Sequence, residues 1–157
     1  MTDVSVLNHA PFADFLGMEI TDAEDGHAEG VLELRSDHSS NPSTLIAHGG
    51  VTYALADTVG GAAVISRSGA VSPTVDMRID YLAPATEDLR AVADVLRAGG
   101  NVAVVDVEVY DAHERHVATA RGNYKVTGQG ESTPWTDGVA EGVDPTAIHD
   151  LDGAAEE

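Results

Sequence analysis

Residues 49 to 66, G-G-V-T-Y-A-L-A-D-T-V-G-G-A-A-V-I-S, run for eighteen residues with one charged side chain. A stretch of that length and polarity has two outlets: a membrane span at its lower length limit, or a helix buried in a protein core. Asp57 at its centre, four glycines and a strongly acidic remainder argue against insertion. Gly60 and Gly61 argue for burial, because an interior helical Gly costs roughly 1 kcal/mol relative to Ala and is best explained by close backbone packing. The prediction is one long central helix that the rest of the chain must cover.

The cover reads as sheet. Residues 4 to 15 form a short amphipathic pattern ending at Gly17, a plausible left-handed helix cap. Residues 18 to 24 and 28 to 35 flank Asp25-Gly26, a strong two-residue hairpin signal. Further on, Val75, Met77, Ile79 and Tyr81 alternate with Asp76, Arg78 and Asp80, and Val105, Val107 and Val109 alternate with Asp106 and Glu108. Gly99-Gly100-Asn101 and Asp111-Ala112-His113 mark turns between these strands. The last strand, about 116 to 126, puts the small residues Ala118, Ala120 and Gly122 on one face, where a helix can lie close. One long helix against an antiparallel sheet is an α+β arrangement.

Composition changes clearly at one place. Residues 127 to 157 hold eight acidic residues, no Lys or Arg, five Gly and two Pro, and read as a flexible acidic tail with Trp135 as its one possible docking residue. The expected organisation is a domain over 1–126 and a tail over 127–157. The whole chain of 157 residues carries 27 acidic against 8 basic groups, a formal charge of −19. That charge repels phosphate backbones, so nucleic acid is not an expected partner. With carboxylates spread evenly and one Lys among the basic residues, the acidity reads as a surface suited to molar salt, in the style of halophilic organisms. The absence of cysteine removes disulfides, thiolate metal sites and thiol nucleophiles. The first fifteen residues show no signal-peptide pattern, which makes the expected location cytoplasmic, without membrane association.

Asp57 is the informative carboxylate. Buried in an apolar helix it costs several kcal/mol unless paired or hydrogen-bonded, and no Lys or Arg lies within two turns. Burial raises a carboxyl pKa toward the range of a general base, and a carboxylate can also attack an acyl carbon. The alternative is an Asp bonded to neighbouring hydroxyls such as Thr58, or lying at a subunit interface. His48-Gly49-Gly50 opens the same helix, where free N–H groups and the positive dipole end make a potential oxyanion hole. Gly49 and Asp57 are eight residues apart, roughly 12 Å at 1.5 Å per residue, too far for one acyl group to touch both. Two such helices set antiparallel in a symmetric dimer would bring one subunit's Gly49 to the other's Asp57.

Taken together, H-G-G-V-T-Y-A-L-A-D-T-V-G-G, T-V-D-M-R-I-D-Y-L-A-P and A-T-A-R-G-N-Y-K-V resemble the hotdog-fold acyl-CoA thioesterases of the PaaI type. The likeness spans about residues 5 to 126. It implies a sheet wrapped around one long central helix, subunits paired into a homodimer or dimer of dimers, and active sites at the dimer interface. It further implies Asp57 as the catalytic carboxylate, Gly49 as the backbone donor to the thioester carbonyl, His48 as a residue positioning the thioester, and Thr74 as the hydroxyl orienting water. His48 as a helix cap and Thr74 as an ordinary strand-start residue are the structural alternatives. Gly50 is expected beside the substrate. Asn41 is expected at the substrate too, although N-P-S-T-L-I-A-H-G-G lacks the Gly that usually follows the Asn and is one residue longer.

The expected activity is therefore hydrolysis of an acyl-CoA to free acid and CoA, with an aromatic, phenylacetyl-like acyl group as one candidate. Coenzyme A enters as part of the substrate, and no metal or other cofactor is expected. Arg67, Arg78, Arg97 and Arg121 are candidates for its phosphates, each with a surface ion pair as the alternative. Competing readings are a hotdog hydratase, for which the usual Asp/His pairing is not evident, and a non-catalytic acyl-CoA-binding protein, against which Asp57 argues.

Overall fold

The computed structural model describes residues 8–128 and 134–135. Helix α1 (Pro11–Leu16) leads into strands β1 (Met18–Glu24) and β2 (His27–Leu32), then a 3-10 turn (Ser36–His38), helix α2 (Gly49–Ser68), and strands β3 (Thr74–Tyr81), β4 (Leu89–Ala98), β5 (Val102–Asp111) and β6 (His116–Lys125). The six strands form one sheet in the order β1-β2-β4-β5-β6-β3, with every neighbouring pair antiparallel. α2 lies across one face and touches all six strands. This is the α+β architecture expected from the sequence. No helix among the described residues is long and apolar enough to cross a membrane.

The hairpin forms at Asp25-Gly26, where both residues take positive φ (46° and 91°), the two-residue turn whose twist matches the flanking strands. In β5, the alternation places Val105, Val107 and Val109 wholly inside, on the face under α2. Leu55 and Val59 of the helix are equally closed off, and each fully buried Val or Leu contributes about 1.5–3 kcal/mol. The short first helix spans Pro11–Leu16 and ends at Gly17 (φ 72°); residues 4–7 of the expected helix lie outside the described residues.

Two expectations need correction. α2 is not buried all round: Val51, Leu55, Val59 and Ala62 face the sheet, while Ala54, Asp57, Thr58, Gly61 and Ile65 stay half-exposed. A single sheet covers only one side of a helix, so this second stripe, spaced at three and four residues, is not covered by the sheet. In β3, Met77 is buried and Ile79 partly so, but Val75 and Tyr81 are 65% and 53% exposed. β3 is the terminal strand and pairs with β6 alone, and its register breaks between Thr74 and Asp76. Thr127, just past the expected boundary at 126, is buried, and its hydroxyl donates to the Val71 carbonyl at 2.5 Å. Of the expected tail, residues 129–133 and 136–157 lie outside the described residues.

Gly60 carries the closest approach of helix to sheet. A Cβ there would lie 2.4 Å from the Tyr124 hydroxyl oxygen and 3.1 Å from Cζ. At Gly61 the nearest atom, Tyr124 Cε1, is 3.6 Å away, an ordinary contact. Gly60→Ala is expected to destabilise the protein by about 1–3 kcal/mol through overpacking. Gly61→Ala is expected to be neutral or stabilising by up to about 1 kcal/mol through helix propensity. Urea unfolding at fixed salt checks both, and equal shifts for the two variants would contradict the packing described.

Candidate functional site

Asp57 sits mid-helix on the half-exposed stripe of α2, and two hydroxyls converge on it. Thr74, the first residue of β3, donates to Asp57 Oδ1 at 2.7 Å. Tyr124 of β6 donates to the Asp57 carbonyl at 2.9 Å and lies 3.2 Å from Oδ1. The carboxylate is therefore held by Thr74 and Tyr124 rather than by Thr58, and among the described residues Oδ2 has no donor. No cation among the described residues forms an ion pair with Asp57. Within one chain Asp57 is half-exposed, because the stripe that carries it is not covered by its own sheet.

The arrangement has chemical consequences. A hydroxyl has one proton to give, and Thr74 commits its proton to Oδ1, so toward a water molecule Thr74 offers only its lone pairs. Oδ2 remains available to accept a proton or to attack. The cleft beside it has a volume of about 310 Å³, with Ile20, Ile65, Val71 and Pro73 as apolar walls and Asp57, Thr74, Tyr124 and Trp135 also lining it.

The helix start is a separate place. Gly49 lines a different cleft of about 430 Å³, between the 46–47 loop and the Tyr81–Ala85 segment. The Tyr81 hydroxyl donates to the Gly49 carbonyl at 2.7 Å, and a Cβ on Gly49 would sit 3.0 Å from that oxygen. One chain thus keeps Gly49 and Asp57 in two clefts, as the rise per residue requires. His48 is exposed and is the helix N-cap: its Nδ1 accepts from the Gly50 N–H at 2.9 Å. That bond occupies the Gly50 amide, so Gly50 offers no free backbone donor here, and it leaves the proton of a neutral His48 ring on Nε2. Asn41 is exposed, and its Oδ1 accepts from the Ser43 and Thr44 N–H groups at 2.8 and 3.2 Å, an Asx turn that shapes the 39–46 loop.

Of the four candidate arginines, Arg121 pairs with Asp106 through two bonds of 2.6 and 2.9 Å, and Arg78 pairs with Asp80 at 3.0 Å. Arg67 and Arg97 form no ion pair among the described residues. The described residues gather no group of three His, Asp or Glu side chains suited to a metal ion.

Sequence reasoning missed three residues at these sites. Tyr124 stands in the closing strand directly after G-N, and its aromatic ring among small residues was the available signal. Tyr81 was read as a member of an apolar face. His38 was not singled out, yet it is buried, its carbonyl accepts from the His48 N–H at 2.8 Å, and its Nε2 has no partner among the described residues.

Burial, reinforced by the neighbouring Asp57 carboxylate, pushes the Tyr124 phenol far above its ordinary value. An unfolded chain loses that proton near pH 10 while the folded one keeps it, so the contribution of Tyr124 to stability is complete below pH 10 and falls as pH rises above it. Phenolate absorbance at pH 11, with folding verified by circular dichroism, is expected to be the same for the wild type and Tyr124→Phe. A difference of one tyrosine should emerge only on denaturation; one present in the folded state would contradict this environment.

Residues 46–118 match the family profile described as Thioesterase superfamily. A Halobacterium salinarum protein assigned as an esterase is 36% identical over 71% of this chain and 82% of its own length. The medium/long-chain acyl-CoA thioesterase YigI of Escherichia coli K12 is 31% identical over 75% of this chain and 86% of its own. Among solved structures, the PaaI protein of the E. coli phenylacetic acid degradation operon superposes with a TM-score of 0.72 at 27% identity, covering 79% of this chain and 89% of that one. A Streptococcus pneumoniae thioesterase-type protein solved with coenzyme A gives a TM-score of 0.69 at 27% identity, covering 79% of this chain and 95% of that one. With its six-stranded antiparallel sheet closed over one long helix, the chain belongs to the thioesterase superfamily and is a hotdog-fold thioester hydrolase.

Proposed function

We propose that this protein hydrolyses an acyl-CoA to free acid and CoA in a site made by two copies of the chain, with Asp57 from one and the Gly49 N–H from the other. The observation that carries the reading is the separation of those two groups into different clefts of one chain, combined with a half-exposed helical stripe that includes Asp57 and that the sheet does not cover. A second subunit laid on that stripe covers it and supplies the missing donor. The acyl-CoA activity of the E. coli relative and the coenzyme A in the S. pneumoniae structure support the substrate class.

In this mechanism Asp57 Oδ2 either takes a proton from water as the water attacks the thioester carbonyl, or attacks that carbonyl itself to give an acyl-enzyme that water then cleaves. Thr74, its proton given to Oδ1, accepts a hydrogen bond from the water and turns the water's lone pair toward the substrate. The Gly49 N–H, at the positive end of a 20-residue helix, stabilises the oxyanion as it forms. The C–S bond then breaks and the thiolate leaves, taking a proton from water or from the protonated carboxyl. His48 fixes the Gly50 amide and so the geometry of the helix start, and Asn41 acts by shaping the loop that precedes it. Coenzyme A is substrate, and no step needs a resident metal. A CoA thioester as substrate supports a cytoplasmic location, and the −19 charge is read as adaptation to salt.

Asp57→Asn keeps the shape of the side chain and is expected to lower kcat by about a hundredfold or more, the scale of losing a general base. Thiol release from acetyl-, octanoyl-, palmitoyl- and phenylacetyl-CoA in molar KCl checks it. Equal rates in the two proteins would remove Asp57 from the mechanism.

A further inference from the structure

Trp135 is the one tryptophan of the chain, and it stands ten residues beyond the end of β6, in a segment that the catalytic mechanism does not use. The structure nevertheless seats it in the cleft of Asp57, Thr74 and Tyr124. The chain leaves β6 anchored beside this cleft. The Lys125 N–H donates to the Pro73 carbonyl at 2.8 Å, and the Thr127 hydroxyl donates to the Val71 carbonyl, so the chain leaves β6 tied to the same 71–73 segment that walls the cleft.

The other apolar walls, Ile20, Ala62, Ile65, Val71 and Pro73, are all aliphatic. Tyr124 lines the cleft too, but it is buried with its hydroxyl engaged by Asp57. Among the described residues that line this cleft, Trp135 is therefore the one exposed aromatic, with 61% of its area open. A tryptophan exposed to that extent forfeits much of the largest apolar burial that any side chain can contribute. An apolar ligand in the cleft would recover it.

We propose that Trp135 is a specificity-determining residue of the thioesterase: its ring forms the outer wall of the acyl pocket and packs against acyl groups long enough, or aromatic enough, to extend past Asp57. This rests on the acyl-CoA reading given above. An acetyl group ends at the carbonyl beside the carboxylate and gains nothing from the ring, whereas an octanoyl, decanoyl or phenylacetyl group reaches it. Trp135 acts on which acyl group is bound, and Asp57 on whether that group is cleaved.

Two measurements test this on the full chain. In Trp135→Ala, kcat/KM for decanoyl-CoA is expected to fall about tenfold, on the scale of one lost aromatic contact, with acetyl-CoA hydrolysis within twofold of wild type; Trp135→Phe should recover most of the loss. An unchanged chain-length profile in Trp135→Ala, or an equal loss for acetyl- and decanoyl-CoA, overturns the proposal. The second measurement needs no turnover. Because Trp135 is the sole tryptophan, its emission reports the site directly, and decanoyl-CoA added to Asp57→Asn should shift it to the blue while CoA alone should not. No shift at concentrations where decanoyl-CoA is cleaved by the wild type overturns the wall and leaves the hydrolase reading intact. A shift with no cleavage by the wild type upholds the wall and removes that reading.

Discussion

The Tyr124 phenol joins the core of this protein to its candidate chemistry. It is closed off from solvent beneath Gly60, where no side chain larger than hydrogen fits, and its hydroxyl reaches the Asp57 backbone and carboxylate. A buried hydroxyl needs a partner, and the penalty for leaving one unmade is about 1–3 kcal/mol. Helix α2 must therefore lie at one height and rotation on the sheet to satisfy it. That rotation puts Leu55 and Val59 on the strands and leaves Asp57 on the opposite flank, so packing and site geometry are set together.

The same rotation explains why the proposed site needs a second chain. The helix delivers its positive end and its carboxylate about two turns apart, and the sheet covers only one of its sides. The half-exposed stripe from Ala54 to Ile65, and a terminal strand with Val75 and Tyr81 in the open, are continuous features of one subunit that a second copy would close. On this account oligomerisation is part of the active site.

Much of this was legible in the sequence because it rests on local rules. The long helix followed from an apolar run interrupted by Gly60-Gly61, the hairpin from Asp25-Gly26, and the β5 core from the alternation of Val105, Val107 and Val109. Asp57 stood out by being a charge where none is expected. What the sequence concealed depends on tertiary context. β3 alternates as cleanly as β5, yet its place at the sheet edge exposes Val75 and Tyr81, and nothing local distinguishes an edge strand from a central one. Tyr124 lies 67 residues from Asp57, a pairing that no periodicity encodes. The Gly50 amide looked free because helix starts usually are, and it is taken by the His48 ring two residues away.

The composite site is the central claim, and subunit complementation tests it most directly. Asp57→Asn removes the carboxylate. Gly49→Pro removes the N–H at the first position of the helix, where proline is otherwise tolerated, although its ring must displace the Tyr81 hydroxyl by a few tenths of an ångström. Each variant alone should be inactive. Unfolded together and refolded as a one-to-one mixture, half the dimers are mixed, and each mixed dimer holds one site with both groups intact, so about a quarter of wild-type thioesterase activity should return. Activity no greater than the mean of the two variants, with mixed dimers shown to be present, would contradict a site shared between subunits.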